Sequence, residues 1–188
     1  MIIKGNLIDC TDTGTIRIRE KSCILLKDKV IFKIYPENML PSSYKDEKIV
    51  DYKDALIFPG LTDMHLHAPQ FSFRGLGMDM ELLDWLNTYT FPEEAKYKDM
   101  DYAKKAYTKF VNSLKKSFTT RAIIFATLHK DATILLMDML EKSGLSCFVG
   151  KVNMDRNSTE NLIESTEESV GATNEWLNFC KNRYKNTY

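Results

Sequence analysis

From residue 55 onward, short apolar runs alternate with longer amphipathic stretches, and this alternation restricts the fold more than any other feature of the chain. The runs fall at residues 55–64, 122–126 and 147–149, the last continuing to Val152. Bounded apolar runs of this kind read as buried strands. A short helix is expected at residues 81–89, and Pro92 suits a helix start. A long helix is expected at residues 99–116, where Ala103, Ala106, Tyr107, Phe110, Val111 and Leu114 share one 3.6-residue face. A third helix, capped by Asp131, should end at Ser143-Gly144. Ser165 and Glu168 are spaced as a capping box for a last helix. Its Val170, Thr173, Leu177, Cys180 and Tyr184 would line one face, with Gly171 a weak point. Buried strands separated by helices imply right-handed βαβ crossovers around a parallel sheet, here three units of an α/β fold.

Residues 1–55 differ in texture. Residues 2–8, 15–19 and 23–35 carry β-branched and aromatic residues between turn signals, so strands are expected there. Lys27-Asp28-Lys29 is a hairpin turn, and residues 36–48 read as a loop.

The first apolar run ends in His65-Leu66-His67. Side chains alternate along a strand, so the two imidazoles should project side by side with Leu66 turned away. Neutral imidazoles paired at a strand end form half of a divalent-metal site. The same pair also reads as two histidines capping a core. Asp63 shares their parity, either as an acceptor for a ligating imidazole or as a solvated carboxylate.

Composition narrows the function classes. Lys plus Arg and Asp plus Glu number 26 each in 188 residues, which offers no electrostatic case for nucleic acid or a membrane surface. No apolar stretch approaches the ~20 residues of a membrane span. The four cysteines are scattered without a Cys-x-x-Cys spacing, which disfavours a disulfide framework and a zinc knuckle. The expectation is a reduced, cytoplasmic protein. The His-x-Glu and Pro-Cys-x-x-Cys signature of one class of zinc enzymes that act on nucleobases does not occur.

The pattern of an apolar strand, Pro59-Gly60, Asp63 and His65-Leu66-His67 resembles the first barrel strand of the metal-dependent amidohydrolase superfamily. His67-Ala68-Pro69-Gln70, Leu83-Asp84-Trp85-Leu86-Asn87 and Tyr89-Thr90-Phe91-Pro92-Glu93 are similar to the guanine deaminases of that superfamily. So are Thr119-Thr120, the stretch Phe125-Ala126-Thr127-Leu128-His129, and Phe148 through Asp155.

The resemblance implies a (β/α)₈ barrel with a small composite β-sandwich. Residues 1–55 would supply sandwich strands and residues 56–188 the first three β/α units. A barrel takes ~250 residues, so the expectation is an N-terminal portion of such an enzyme. The implied activity is zinc-dependent hydrolysis of guanine to xanthine and ammonia, in an enzyme that is a homodimer when complete. By the same resemblance His65 and His67 are metal ligands, and His67, Ala68, Pro69 and Gln70 line the base pocket. The remaining ligands and a proton-shuttling Glu come from later strands, so no catalytic residue is assigned within these residues. His129 is read as a rim histidine outside the ligand set. Trp85, Leu86, Tyr89 and Phe91 are read as core. Two rival readings are an amidohydrolase acting on another heterocycle and a non-catalytic half-barrel.

Overall fold

The computed structural model describes residues 1–188, which divide into two compact units, Met1–Pro59 and Gly60–Tyr188.

The first unit is a four-stranded sheet of β1 (Ile2–Cys10), β2 (Ile16–Lys27), β3 (Val30–Pro36) and β4 (Ile49–Ile57), ordered β3-β2-β1-β4. Asp28 and Lys29 turn the β2–β3 hairpin with φ of 50° and 64°, the positive values that match the twist of paired strands. Residues 16–27 form one strand rather than the two segments expected. The break seen in the sequence is an irregularity at Lys21, where φ is 46°, and it lies where the register against β1 shifts. Ile2, Cys23 and Leu25 form a small core against Tyr35, Leu40 and Tyr44.

β4 was not anticipated, and it corrects the reading of residues 55–64 as one buried strand. Residues 55–57 complete β4, which runs parallel to β1. A new strand in a different sheet then starts at Leu61. Proline and glycine at positions 59 and 60 separate the two, since neither favours a strand interior. β4 escapes notice because Asp51, Lys53 and Asp54 interrupt its apolar pattern and Lys53 has φ of 53°.

The second unit carries β5 (Leu61–His67), β6 (Thr119–Phe125) and β7 (Ser146–Gly150) in a parallel sheet ordered β5-β6-β7. Its helices are α1 (Leu82–Trp85), α2 (Phe91–Ala95), α3 (Met100–Lys115), α4 (Lys130–Ser143) and α5 (Thr166–Cys180). Asp99 caps α3 by accepting from the amides of Asp101 and Tyr102. The apolar stripe of α3 buries Ala103, Tyr107, Phe110, Val111 and Leu114. It packs with Ala132, Leu136, Met137 and Leu140 of α4 against Ala122, Ile124, Cys147 and Val149 of the sheet. Those positions alternate along β6 and β7, so one sheet face is core and the other presents Phe125 and Phe148.

Three helical expectations need correction. The stretch at residues 81–89 is α1 running through a π-turn at Leu86–Thr90 into α2. Pro92 has no N–H for the ordinary i→i−4 bond, and the wider turn accommodates the loss. His129, not Asp131, occupies the N-cap of α4, and Asp131 lies in its first turn. In α5 the Ser165–Glu168 capping box forms, but the buried residues are Ser169 and Trp176. Val170 and Leu177 of the expected face are exposed.

Beyond α5, Cys147 donates to the carbonyl of Asn186 at 3.0 Å and Tyr188 donates to that of Cys147 at 2.8 Å. The final residues therefore lie parallel beside β7 through a bridge of Cys147 with Thr187. All four cysteines are free, and no helix is long and apolar enough to cross a membrane.

Candidate metal and base site

β5 ends on the exposed face of the sheet, and there the two histidines meet. The Nε2 atoms of His65 and His67 stand 3.2 Å apart. Two nitrogens bound to one tetrahedral zinc at ~2.05 Å would be about 3.3 Å apart, so the pair has the spacing of shared ligands. The ring of His67 lies on Phe125, with centroids 4.8 Å apart and planes inclined by 16°, which fixes its orientation. Phe125 is placed there by parallel register, directly opposite His67 on β6. Burial, and next the neighbouring His65, hold the His67 imidazole below its ordinary pKa. The neutral ring is the form that binds a metal.

Asp63 departs from strict alternation with the two histidines. Register slips between Asp63 and Leu66, a bulge that breaks strict two-residue periodicity. The Asp63 carboxylate accepts the backbone N–H of His65 at 3.1 Å instead of reaching a ring nitrogen. It braces the strand at His65.

Gly60 allows β5 to begin close to its neighbour. A Cβ there would sit 2.2 Å from the Thr120 side chain. At the other end, the amide of Ala68 donates to the carbonyl of Phe125 at 3.0 Å, extending the ladder past His67. The chain then enters a 3₁₀ turn at Pro69–Phe73. Ala68 and Pro69 are buried beneath this turn, while Gln70 faces an open cavity of about 510 Å³ together with His65 and His67. Of the four residues expected at a base pocket, His67 and Gln70 line the cavity, whereas Ala68 and Pro69 are buried and do not line it.

Phe71, Arg74, Leu82 and Phe110 also line it and were not anticipated. The Arg74 guanidinium lies 3.9 Å from the centre of the Phe71 ring and donates to the Phe71 carbonyl at 2.9 Å. The only local signal for it was a cation four residues beyond Gln70. Trp85 and Leu86, read as core, line the cavity. The Trp85 indole N–H is tied to the carbonyl of Leu76 at 3.0 Å, and Tyr89 stacks on Phe73.

His129 is not brought to the pair. It is half-buried at the start of α4 with Nε2 unpartnered, and burial, followed by Lys98 and Lys151, lowers its pKa. No group of three or more His, Cys, Asp or Glu side chains is arranged so that it could hold a metal ion. His65 and His67 could hold a divalent ion between them, with its other positions left for donors beyond this pair.

A profile of the amidohydrolase family matches residues 56–186. The chain belongs to the amidohydrolase family. Among its relatives, guanine deaminase of Dictyostelium discoideum is 35% identical over 94% of this chain and 39% of its own length. Guanine deaminase of Rattus norvegicus is 36% identical over 94% of the chain and 37% of its own length. A solved guanine deaminase from C. acetobutylicum, with guanine bound in its active site, superimposes with a TM-score of 0.91 at 45% identity. That match covers 99% of this chain and 44% of the solved one. This amidohydrolase chain thus spans about two fifths of the length of the curated relatives it matches. Its parallel β/α units are part of an amidohydrolase barrel, which accounts for a sheet of only three strands.

Proposed function

We propose that this chain supplies the first metal ligands and the base-contacting loop of a zinc-dependent guanine deaminase. The reaction is hydrolytic: the exocyclic amine of guanine is replaced by oxygen, giving xanthine and ammonia. The observation that carries this reading is the 3.2 Å approach of His65 and His67 Nε2 in the same cavity as Gln70. The match to guanine deaminases over more than nine tenths of the chain supports the choice of substrate.

In this reading His65 and His67 hold the ion as neutral donors, and Phe125 keeps the His67 ring in line. A bound divalent ion supplies the Lewis acidity that makes water a nucleophile near neutral pH. Gln70 offers an amide donor and acceptor together, the complement of a purine edge. Phe71, Trp85 and Leu86 give the flat base an apolar surround, as small-molecule pockets generally do. The proton transfers to the leaving ammonia need a general acid that this chain does not place at the pair. No catalytic acid–base residue is therefore assigned within it.

The sheet of residues 1–59 is read as part of a composite sandwich, and residues 60–188 as the first three barrel units. The complete enzyme is read as a cytoplasmic homodimer.

The test is complementation. The chain is co-expressed with the remaining barrel of a related guanine deaminase, and xanthine formation is followed with added zinc. Turnover that disappears with His65→Ala or His67→Ala is expected. Turnover that survives both substitutions would refute the ligand assignment.

A further inference from the structure

The turn that presents Gln70 is one short 3₁₀ segment, Pro69–Phe73. Such segments have poorer hydrogen-bond geometry than α-helices, and the Ser72 hydroxyl lies 3.2 Å from the Pro69 carbonyl within it. A side-chain contact also ties the turn to the neighbouring helices. The Ser72 hydroxyl lies 2.5 Å from Oε1 of Glu93, a residue of α2 only 7% exposed. The Tyr102 hydroxyl, from α3, donates to the same oxygen. Lys96 donates to Oε2 at 2.7 Å. One buried carboxylate therefore joins α2, α3 and the turn, with both oxygens satisfied. Hydrogen bonds to an ionised acceptor are roughly twice as strong as neutral ones. Glu93 is not among the residues lining the Gln70 cavity.

We infer that Glu93 is a positioning residue for base recognition, holding the Pro69–Phe73 turn through Ser72 so that Gln70 stands in the cavity beside the histidine pair. This rests on the proposed role of Gln70 at the base. Ring contacts of Phe71 with Phe110, centroids 5.7 Å apart, and of Phe73 with Tyr89, 6.0 Å apart, remain when the carboxylate is removed. Its loss therefore loosens the turn without emptying the core. His65 and His67 sit upstream on β5 and are held by the strand ladder and Phe125, so metal binding and base binding should separate.

The experiment uses the chain co-expressed with the remaining barrel of a related guanine deaminase, carrying Ser72→Ala, Glu93→Gln or Glu93→Asp. It reads zinc affinity by calorimetry, guanine affinity by Trp fluorescence, and amide hydrogen exchange across the turn. Ser72→Ala and Glu93→Gln should speed exchange at Phe71 to Phe73 and weaken guanine about tenfold, the worth of one charge-assisted hydrogen bond. Zinc affinity should stay unchanged, and Glu93→Asp should recover part of the guanine affinity. Guanine affinity that is unchanged in both variants, while Gln70→Ala weakens it, would overturn the inference. So would a parallel loss of zinc affinity, which signals general disruption. If Gln70→Ala binds guanine as well as the unaltered chain does, the base role of Gln70 fails first, and the inference falls with it.

Discussion

Phe125 lies flat against His67, ring centroids 4.8 Å apart, because parallel register sets the two residues side by side on adjacent strands. The His65 ring also leans on Phe125 at 5.2 Å, so one aromatic side chain orients both imidazoles. Outer partners that orient metal-binding histidines are worth about 10- to 100-fold in affinity. Phe125→Ala should weaken zinc binding to the pair about tenfold in calorimetry, while Phe125→Trp should weaken it less. Equal affinity in Phe125→Ala would show that the rings hold their orientation without it.

The chain by itself should turn over no guanine. A catalytic zinc usually has three protein ligands and an open position, and two imidazoles are gathered here. Purified chain incubated with zinc and guanine should release neither xanthine nor ammonia, whereas zinc should bind weakly and be lost in the His65→Ala/His67→Ala double variant. Sustained turnover abolished by His65→Ala would require further ligands among these residues.

Stability should fall with rising pH through a window set by Glu94. This carboxyl is buried on α2 with Oε2 unpartnered, near Tyr97 and Tyr107, and burial pushes its pKa up to about 7. Below the unfolded value of 4.5 the group is protonated in both states and costs nothing. As pH rises from there to about 7, the unfolded chain ionises and the folded one resists, so folding stability declines. At about 1.4 kcal/mol for each pH unit between the two values, the full loss is on the order of 3 kcal/mol and is complete above neutrality. Urea unfolding at pH 5 and pH 8 should show this decline, and Glu94→Gln should flatten it. An identical pH profile in that variant would count against a buried ionisation.

The isolated chain should self-associate. β5 pairs with β6 alone and leaves its outer edge open, while Leu61, Met64, Phe148 and Tyr188 are exposed on the same unit. Open apolar edges template pairing with other chains. Size-exclusion chromatography should show species larger than 21.8 kDa, reduced by Met64→Lys. A cooperatively unfolding monomer would mean that these residues satisfy their own edges.

The sequence by itself determined what depends on short-range periodicity. Two residues apart on a strand means the same face, so the His65–His67 pair was legible. One capping box and one 3.6-residue stripe located α5 and the buried face of α3. The strand–helix alternation was enough for a parallel α/β sheet. Tertiary structure decided what depends on register and on distant partners. A bulge made Asp63 a backbone brace where the sequence had left a ring acceptor and a solvated carboxylate both open, and residues 55–57 joined β1 instead of running into β5. Trp85 and Leu86 became cavity wall rather than core, and α5 turned Trp176 inward in place of Leu177. The Glu93 tether joins positions 9 and 21 residues apart, separations at which no local pattern survives. Side-chain periodicity is a property of a single element, whereas burial and contact are set by which elements the fold places opposite one another.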